Sequence, residues 1–350
     1  MSWLQDNFIS RFFVTVISWL EGLTGSWLLA VILFTVVVRL LLLPLDIKQK
    51  RSTMKQGALA GKVQEIQRRY KNDPRMAQAK TNELYKREGV KLSAGCLPML
   101  LQLPIIFAMF GAITILSNTE TVNMVVGLAN GTVSMPPSAL WVHNIWRPDT
   151  GVAAVMPSAQ EFATTLQQSA ARIQPEILAQ AQSLLSNAEL NQFALTATKL
   201  PSGTFFGSYI GDAIATVPSE AITSAVSTNY NTVIAPVLQQ YAGKANGYFI
   251  FPVLSGLSMY LSTRLQRKQS ERQSERQGVT NQPGGTMMEL IFPLLIVWWS
   301  ASAGMCFAVY WTVTNLVVML SSPIMSQLIK MEDKKKQQKK ASVVHGRIES

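Results

Sequence analysis

Between Gly25 and Leu45 the chain runs for 21 residues with a single ionisable side chain, Arg39. A helix needs about 20 apolar residues to cross a bilayer, so this run is long enough to span one. It is also apolar all round, whereas the surface helix of a soluble protein confines its apolar residues to one stripe. Three further stretches share the pattern. We read spans at 25–47, 93–116 and 246–263, and a pair of spans at 287–330, where 44 residues would extend about 66 Å as one helix, roughly two hydrocarbon thicknesses. The small, polar "SASAG" at 300–304 supplies a turn between the fourth and fifth helices.

Charge orders these spans. Lys and Arg number thirteen between Asp46 and Lys91, five between Arg264 and Arg276, and seven from Lys330 onward. The 128 residues Ser117–Lys244 carry four, against seven acids. By the positive-inside rule the basic segments are cytoplasmic, which predicts an external N-terminus and a cytoplasmic C-terminus in a multi-pass protein of the plasma membrane. Five spans satisfy the alternation. Nucleic-acid binding would account for the net charge of +11 but leaves the apolar runs without a role, so DNA is not an expected partner.

The segments between spans have their own signatures. In 1–24, Phe8, Phe12, Val16, Trp19, Leu20 and Leu23 fall on one helical face, which predicts an amphipathic helix on the outer membrane surface; the competing signal-peptide reading meets Arg11 and finds no small-residue cleavage site. Segment 48–92 reads as a cytoplasmic helical hairpin. Leu59, Val63, Ile66 and Tyr70 form a seam, and "KNDP" at 71–74 stops the first helix and starts the second, with Asp73 as its cap. A solvated connector without a partner is the plainer reading of the same residues.

The long stretch 117–245 is rich in Ala, Ser, Thr and Gln. Phe162, Leu166, Ile173, Ile177, Leu184 and Leu185 predict one or two amphipathic helices there, so we expect a mostly helical external insert. Its removal is expected to leave the spans folded. Segment 264–286 reads as a cytoplasmic loop. The tail 331–350, with Lys334, Lys335, Lys336, Lys339 and Lys340, is expected to be disordered and to bind anionic lipid or RNA.

Chemistry is conspicuous by what is missing. The sequence has no phosphate-binding loop, no G-x-S-x-G, no H-E-x-x-H and no paired carboxylates within a span. Cys96 and Cys306 sit in apolar segments, and His143 and His345 are isolated, so neither a disulfide framework nor a metal site is expected. We expect no cofactor and no enzyme. The spans do carry neutral polar residues: Gln102, then Ser255, Ser258 and Ser262, then Thr312, Thr314 and Asn315. Such residues either hydrogen-bond helices together or, with Arg39, line one hydrated cavity.

"ILFTVVVRLLLLPLDIKQKRS", "YKNDP", "GCLPMLLQLPIIFAMF" and "YWTVTN", in that order, resemble the YidC/Oxa membrane protein insertases over roughly residues 8–116 and 247–340. The resemblance implies an all-α integral membrane protein. Its five transmembrane helices would enclose a groove open to cytoplasm and lipid, with no pore and no nucleotide. It places the groove arginine at Arg39, the polar glutamine at Gln102 and the polar stretch of the last span at Thr312 and Asn315. We add Ser258, from the third span, as a groove candidate. One departure is plain: Gram-negative members carry their large external domain before the core, whereas here the insert separates the second and third spans.

A buried charge at mid-span costs about 2.5–3.5 kcal/mol on insertion scales. Arg39 either snorkels to the headgroups or faces a hydrated groove that attracts acidic tails. The groove reading makes the chain an insertase and chaperone. Its partners would be nascent membrane proteins, the ribosome through the basic tail, a Sec-type translocon and the lipid bilayer. The alternative is a small-solute transporter or channel with Arg39 as its anion site, which would show an internal repeat of helices.

Overall fold

The computed structural model describes residues 7–90, 97–185, 220–275 and 286–348; the side chains of 97–101, 220–228, 270–275, 286–289, 336–337 and 339–348 lie outside that description. The described secondary structure is helical apart from one isolated bridge, Ala139 with Val142. The chain is an all-α membrane protein. Among the described residues three helices combine the length and apolarity to cross a bilayer: α2 (Trp27–Ala58), α5 (Leu97–Ala129, over Gln102–Ala129) and α11 (Met305–Ile348, over Met305–Lys335). A shorter apolar stretch, Leu290–Ser302, ends α10 (Thr286–Ser302). Pro44, Pro104, Pro293 and Pro323 lie inside these helices, as spanning helices tolerate.

Two compact units form, one from segments 1–31, 107–253 and 298–309, the other from 32–106, 254–297 and 310–350. The first unit holds α1 (Phe8–Thr24), capped by the Asn7 side chain on the Ser10 N–H and closed by Gly25 in the left-handed conformation. α1 buries Ser10, Phe13 and Ile17 and leaves Phe8, Phe12, Trp19 and Leu23 exposed. The exposed residues belong to the apolar face predicted for 8–23. That face suits a lipid surface.

The insert is built around the end of a span. α5 runs past Leu116 to Ala129, and its last turns give Val122, Val125 and Val126 to a core shared with α6 (Ala159–Ser169), α7 (Pro175–Ser183) and α8 (Glu220–Gln240). α6 starts on a capping box, Ser158 with Glu161, and buries Phe162 and Leu166, each worth about 1.5–3 kcal/mol. Tyr230 of α8 stacks on Phe162 at 4.8 Å and donates to the Pro157 carbonyl at 2.9 Å; burial pushes its phenol well above the ordinary range. Ile173 and Leu185 are buried too, outside the helices that bracket them.

Residues 144–149 press against the ends of helices within this same unit. Trp146 meets Trp27 edge-on at 5.1 Å, its carbonyl accepts from the Ser117 hydroxyl at 3.0 Å, and the Met305 N–H donates to the Arg147 carbonyl at 3.2 Å. Gly304 passes so close that an added Cβ would lie 3.1 Å from the Trp146 carbonyl oxygen. Asn144 and Asn246 exchange bonds: the Asn144 N–H donates to the Asn246 side chain at 2.7 Å, and Asn246 Nδ2 donates to the Asn144 carbonyl at 2.9 Å. Asp149, fully buried, accepts from the backbone N–H groups of Tyr248, Phe249 and Phe251 and from the Trp141 indole, at 2.7–3.1 Å. These N–H groups open α9 (Ile250–Glu275), so Asp149 satisfies donors that a helix start leaves without intrahelical partners.

In the second unit α2 continues to Ala58 without a break where the membrane run ends. α3 (Ala60–Arg69) and α4 (Pro74–Arg87) pair as a short hairpin. Asp73 accepts from the Met76 N–H at 3.0 Å with Pro74 in the first turn, the cap its position predicts. Gly256 of α9 sits where a Cβ would fall 2.3 Å from Val297 Cγ2, so its bare backbone permits a close crossing with α10.

Two expectations need correction. The chain from Arg264, read as loop, extends α9 to Glu275, while 276–285 lie outside the described residues. The basic tail is helical to Ile348 rather than disordered. A span supplies the helix nucleus, with Met325 and Ile329 buried in the turns that lead into the tail, and Lys, Gln and Glu propagate it well.

Candidate functional site

α2 places three ionisable residues on one face of the second unit. Arg39, Asp46 and Lys50 are seven and four residues apart, so their side chains lie within about 40° of one another around the axis. Arg39 is 9% exposed. Among the described residues its hydrogen bond is to Gln102 of α5, Nη1 to Oε1, and at 3.4 Å it is long. No acid forms an ion pair with it among the described residues.

Ser258 and Asn315 form a second pair, between α9 and α11. Asn315 Nδ2 donates to the Ser258 hydroxyl at 3.3 Å and to the Trp311 carbonyl at 3.0 Å; the Ser258 hydroxyl donates to the Ser255 carbonyl at 2.8 Å. Thr312 is half-buried, one turn before Asn315. The site residues taken from the sequence thus gather as two pairs. No hydrogen bond between described residues joins Arg39 or Gln102 to Ser258 or Asn315. Of the tail cations, Lys334 and Lys335 are exposed, and the side chains of Lys336, Lys339 and Lys340 lie outside the described residues.

A third polar knot lies further along α2 and escaped the sequence reading. Lys50 Nζ donates to Gln269 Oε1 of α9 at 2.8 Å and to the Ser322 hydroxyl of α11 at 3.0 Å, and that hydroxyl lies 3.2 Å from the same Gln269 oxygen. The neighbouring Arg51 pairs instead with Glu332. The signal was present in the spacing, since Lys50 repeats the face of Arg39 three turns later, but it was hidden among thirteen cations. No cluster suited to a metal ion occurs among the described residues, and Cys306 is buried as a free thiol. Cys96 lies outside them.

An all-α integral membrane protein whose buried polar side chains, one of them a cation, face each other across its helices is the class this geometry defines. The chain belongs to the 60Kd inner membrane protein family, the YidC/Oxa family: the family's description matches residues 19–224 and 210–335. It is 34% identical over 146 residues to the membrane protein insertase YidC of Clostridium perfringens, covering 41% of this chain and 55% of that one. It is 32% identical over 161 residues to that of Clostridium tetani, covering 45% and 66%, and 43% identical over 106 residues to that of Granulibacter bethesdensis, covering 30% and 18%. The chain therefore spans about half of the first relative and about a fifth of the long one.

Proposed function

We propose that this protein is a membrane protein insertase and chaperone that works without nucleotide. It would cross the membrane five times, with its N-terminus outside and its C-terminus in the cytoplasm. Arg39, Gln102, Ser258, Thr312 and Asn315 line a groove open to cytoplasm and lipid. The polar tail of an incoming helix enters this groove while its apolar part moves into lipid, and transfer of that apolar surface out of water drives the step.

One observation carries the reading. Arg39 is buried in a span, and its partner is a neutral amide held at the outer limit of a hydrogen bond. Asp46, too far for an ion pair, offsets this charge only in part, and a substrate carboxylate at about 4 Å would gain about 1–4 kcal/mol depending on hydration. That attraction recruits a tail and still lets it go. The tail lysines, Lys334, Lys335, Lys336, Lys339 and Lys340, would hold a ribosome nearby, and a Sec-type translocon is a candidate partner. Names carried by the clostridial and Granulibacter relatives agree with an insertase.

Reconstitution tests this. Liposomes containing the purified protein, without nucleotide, should insert a single-span substrate with an acidic tail, read by protection of the tail from external protease. Insertion no faster than in empty liposomes overturns the proposal.

A further inference from the structure

The Lys50 knot does not behave like a structural ion pair. A lysine ammonium has three donors. Two go to neutral oxygens on two different helices, and the third has no acceptor among the described residues. Arg51, one position on, shows the ordinary solution, an acid on the same partner helix. Neutral acceptors bond a cation without cancelling its charge, whereas a carboxylate at about 4 Å adds about 1–4 kcal/mol of Coulomb attraction depending on hydration. Lys50 is therefore held in place but left short of negative charge.

Its position relative to Arg39 gives that shortage a direction. Eleven residues of helix separate the two by about 16 Å along one face. An extended chain covers the same distance in about five residues. Asp46 lies between them on that face, forms no ion pair with either among the described residues, and through its charge interaction with Arg39 limits how tightly a passing carboxylate is held.

We propose that Lys50 is a second substrate-binding residue, at which an acidic side chain of an incoming tail exchanges with Gln269 and Ser322 before the tail reaches Arg39. The inference rests on the insertase reading and on a cytoplasmic entry. It specifies the substrate further: tails with acids about five residues apart engage Lys50 and Arg39 together. The exchange also breaks the Lys50 bond from α2 to α9, while the Arg51–Glu332 pair still joins α2 to α11.

The test uses the full chain in liposomes and two substrates differing only in whether the tail is acidic or neutral. Lys50→Gln keeps an amide that donates to Gln269 and Ser322 but removes the charge. The ratio of acidic-tailed to neutral-tailed insertion should fall about tenfold. Lys50→Glu should turn the preference toward a basic-tailed substrate. A Lys50→Gln ratio equal to that of the parent protein overturns the inference, because the knot is then purely structural. Arg39→Ala, measured alongside, separates the two claims. If it lowers the ratio and Lys50→Gln does not, only Lys50 is excluded; if Lys50→Gln lowers it and Arg39→Ala does not, the acid-reading site is Lys50 and the role given to Arg39 falls.

Discussion

Asp149 and Arg39 are both charged-type side chains removed from solvent, one at the start of α9 in the first unit and one on α2 in the second. Asp149 accepts four N–H groups with good geometry; Arg39 reaches one amide oxygen at 3.4 Å. Burying an ionisable group is tolerable when its bonding capacity is filled, and expensive otherwise. The filled site marks architecture, because every atom of the cluster is committed within the protein. The unfilled site keeps bonding capacity that a group from outside the chain could take up, as the proposed insertase function requires. Lys50 falls with Arg39, and the Arg147–Glu161 pair, at 3.1 Å and partly exposed, falls with Asp149.

The contrast breaks most visibly if architecture is attacked first. Asp149→Ala strands three backbone donors and an indole N–H, so we expect at least about 3 kcal/mol of destabilisation and poor accumulation. Thermal unfolding in detergent reads this; a variant as stable as the parent would mean that Asp149 is not structural. Replacement of residues 121–242 by a short linker should fail the same way, against the expectation from sequence. It removes Asn144, Trp146 and Asp149 along with the outer lobe. Yield and resistance to protease measure the outcome.

Gly247→Ala sharpens the same side at smaller scale. Its Cβ would fall 1.9 Å from Asp149 Oδ1, so the carboxyl must move off its donors, and we expect a loss of about 1–3 kcal/mol by the same unfolding measurement. On the functional side the sign reverses. Arg39→Ala removes a costly charge from a span, so yield and stability should hold or rise while insertion of acidic-tailed substrates drops about tenfold. Arg39→Lys should fall between, since the planar five-donor fork is lost and the charge kept. Smallest of all, replacing Lys334, Lys335, Lys336, Lys339 and Lys340 with Gln should weaken ribosome co-sedimentation about threefold at low salt, with added salt erasing the difference.

The local chemistry of this chain was legible without coordinates. The run from Gly25 to Leu45 needs no partner to declare itself a span, and Asp73 before Pro74 declares a helix start, because both depend on neighbours in sequence. The same holds for Phe162 and Leu166, whose spacing reports α6. Where helices end was less legible. α2, α5, α9 and α11 all run past their apolar stretches, since a helix already nucleated propagates through Lys, Gln and Ala at little cost, and hydropathy reports the membrane rather than the helix.

What the sequence determined by itself is the helical class, the positions of the apolar runs, the separation of basic from acidic segments and the isolation of Arg39 in its span. Tertiary structure alone decided which polar residues meet. Gln102 is 63 positions from Arg39, Gln269 is 219 from Lys50, and Asp149 is 102 from the Phe251 N–H it accepts. No periodicity links such distant residues. Whether a buried polar group ends up satisfied or short of a partner depends on distances of a few tenths of an ångström between separate helices, and those exist only after packing.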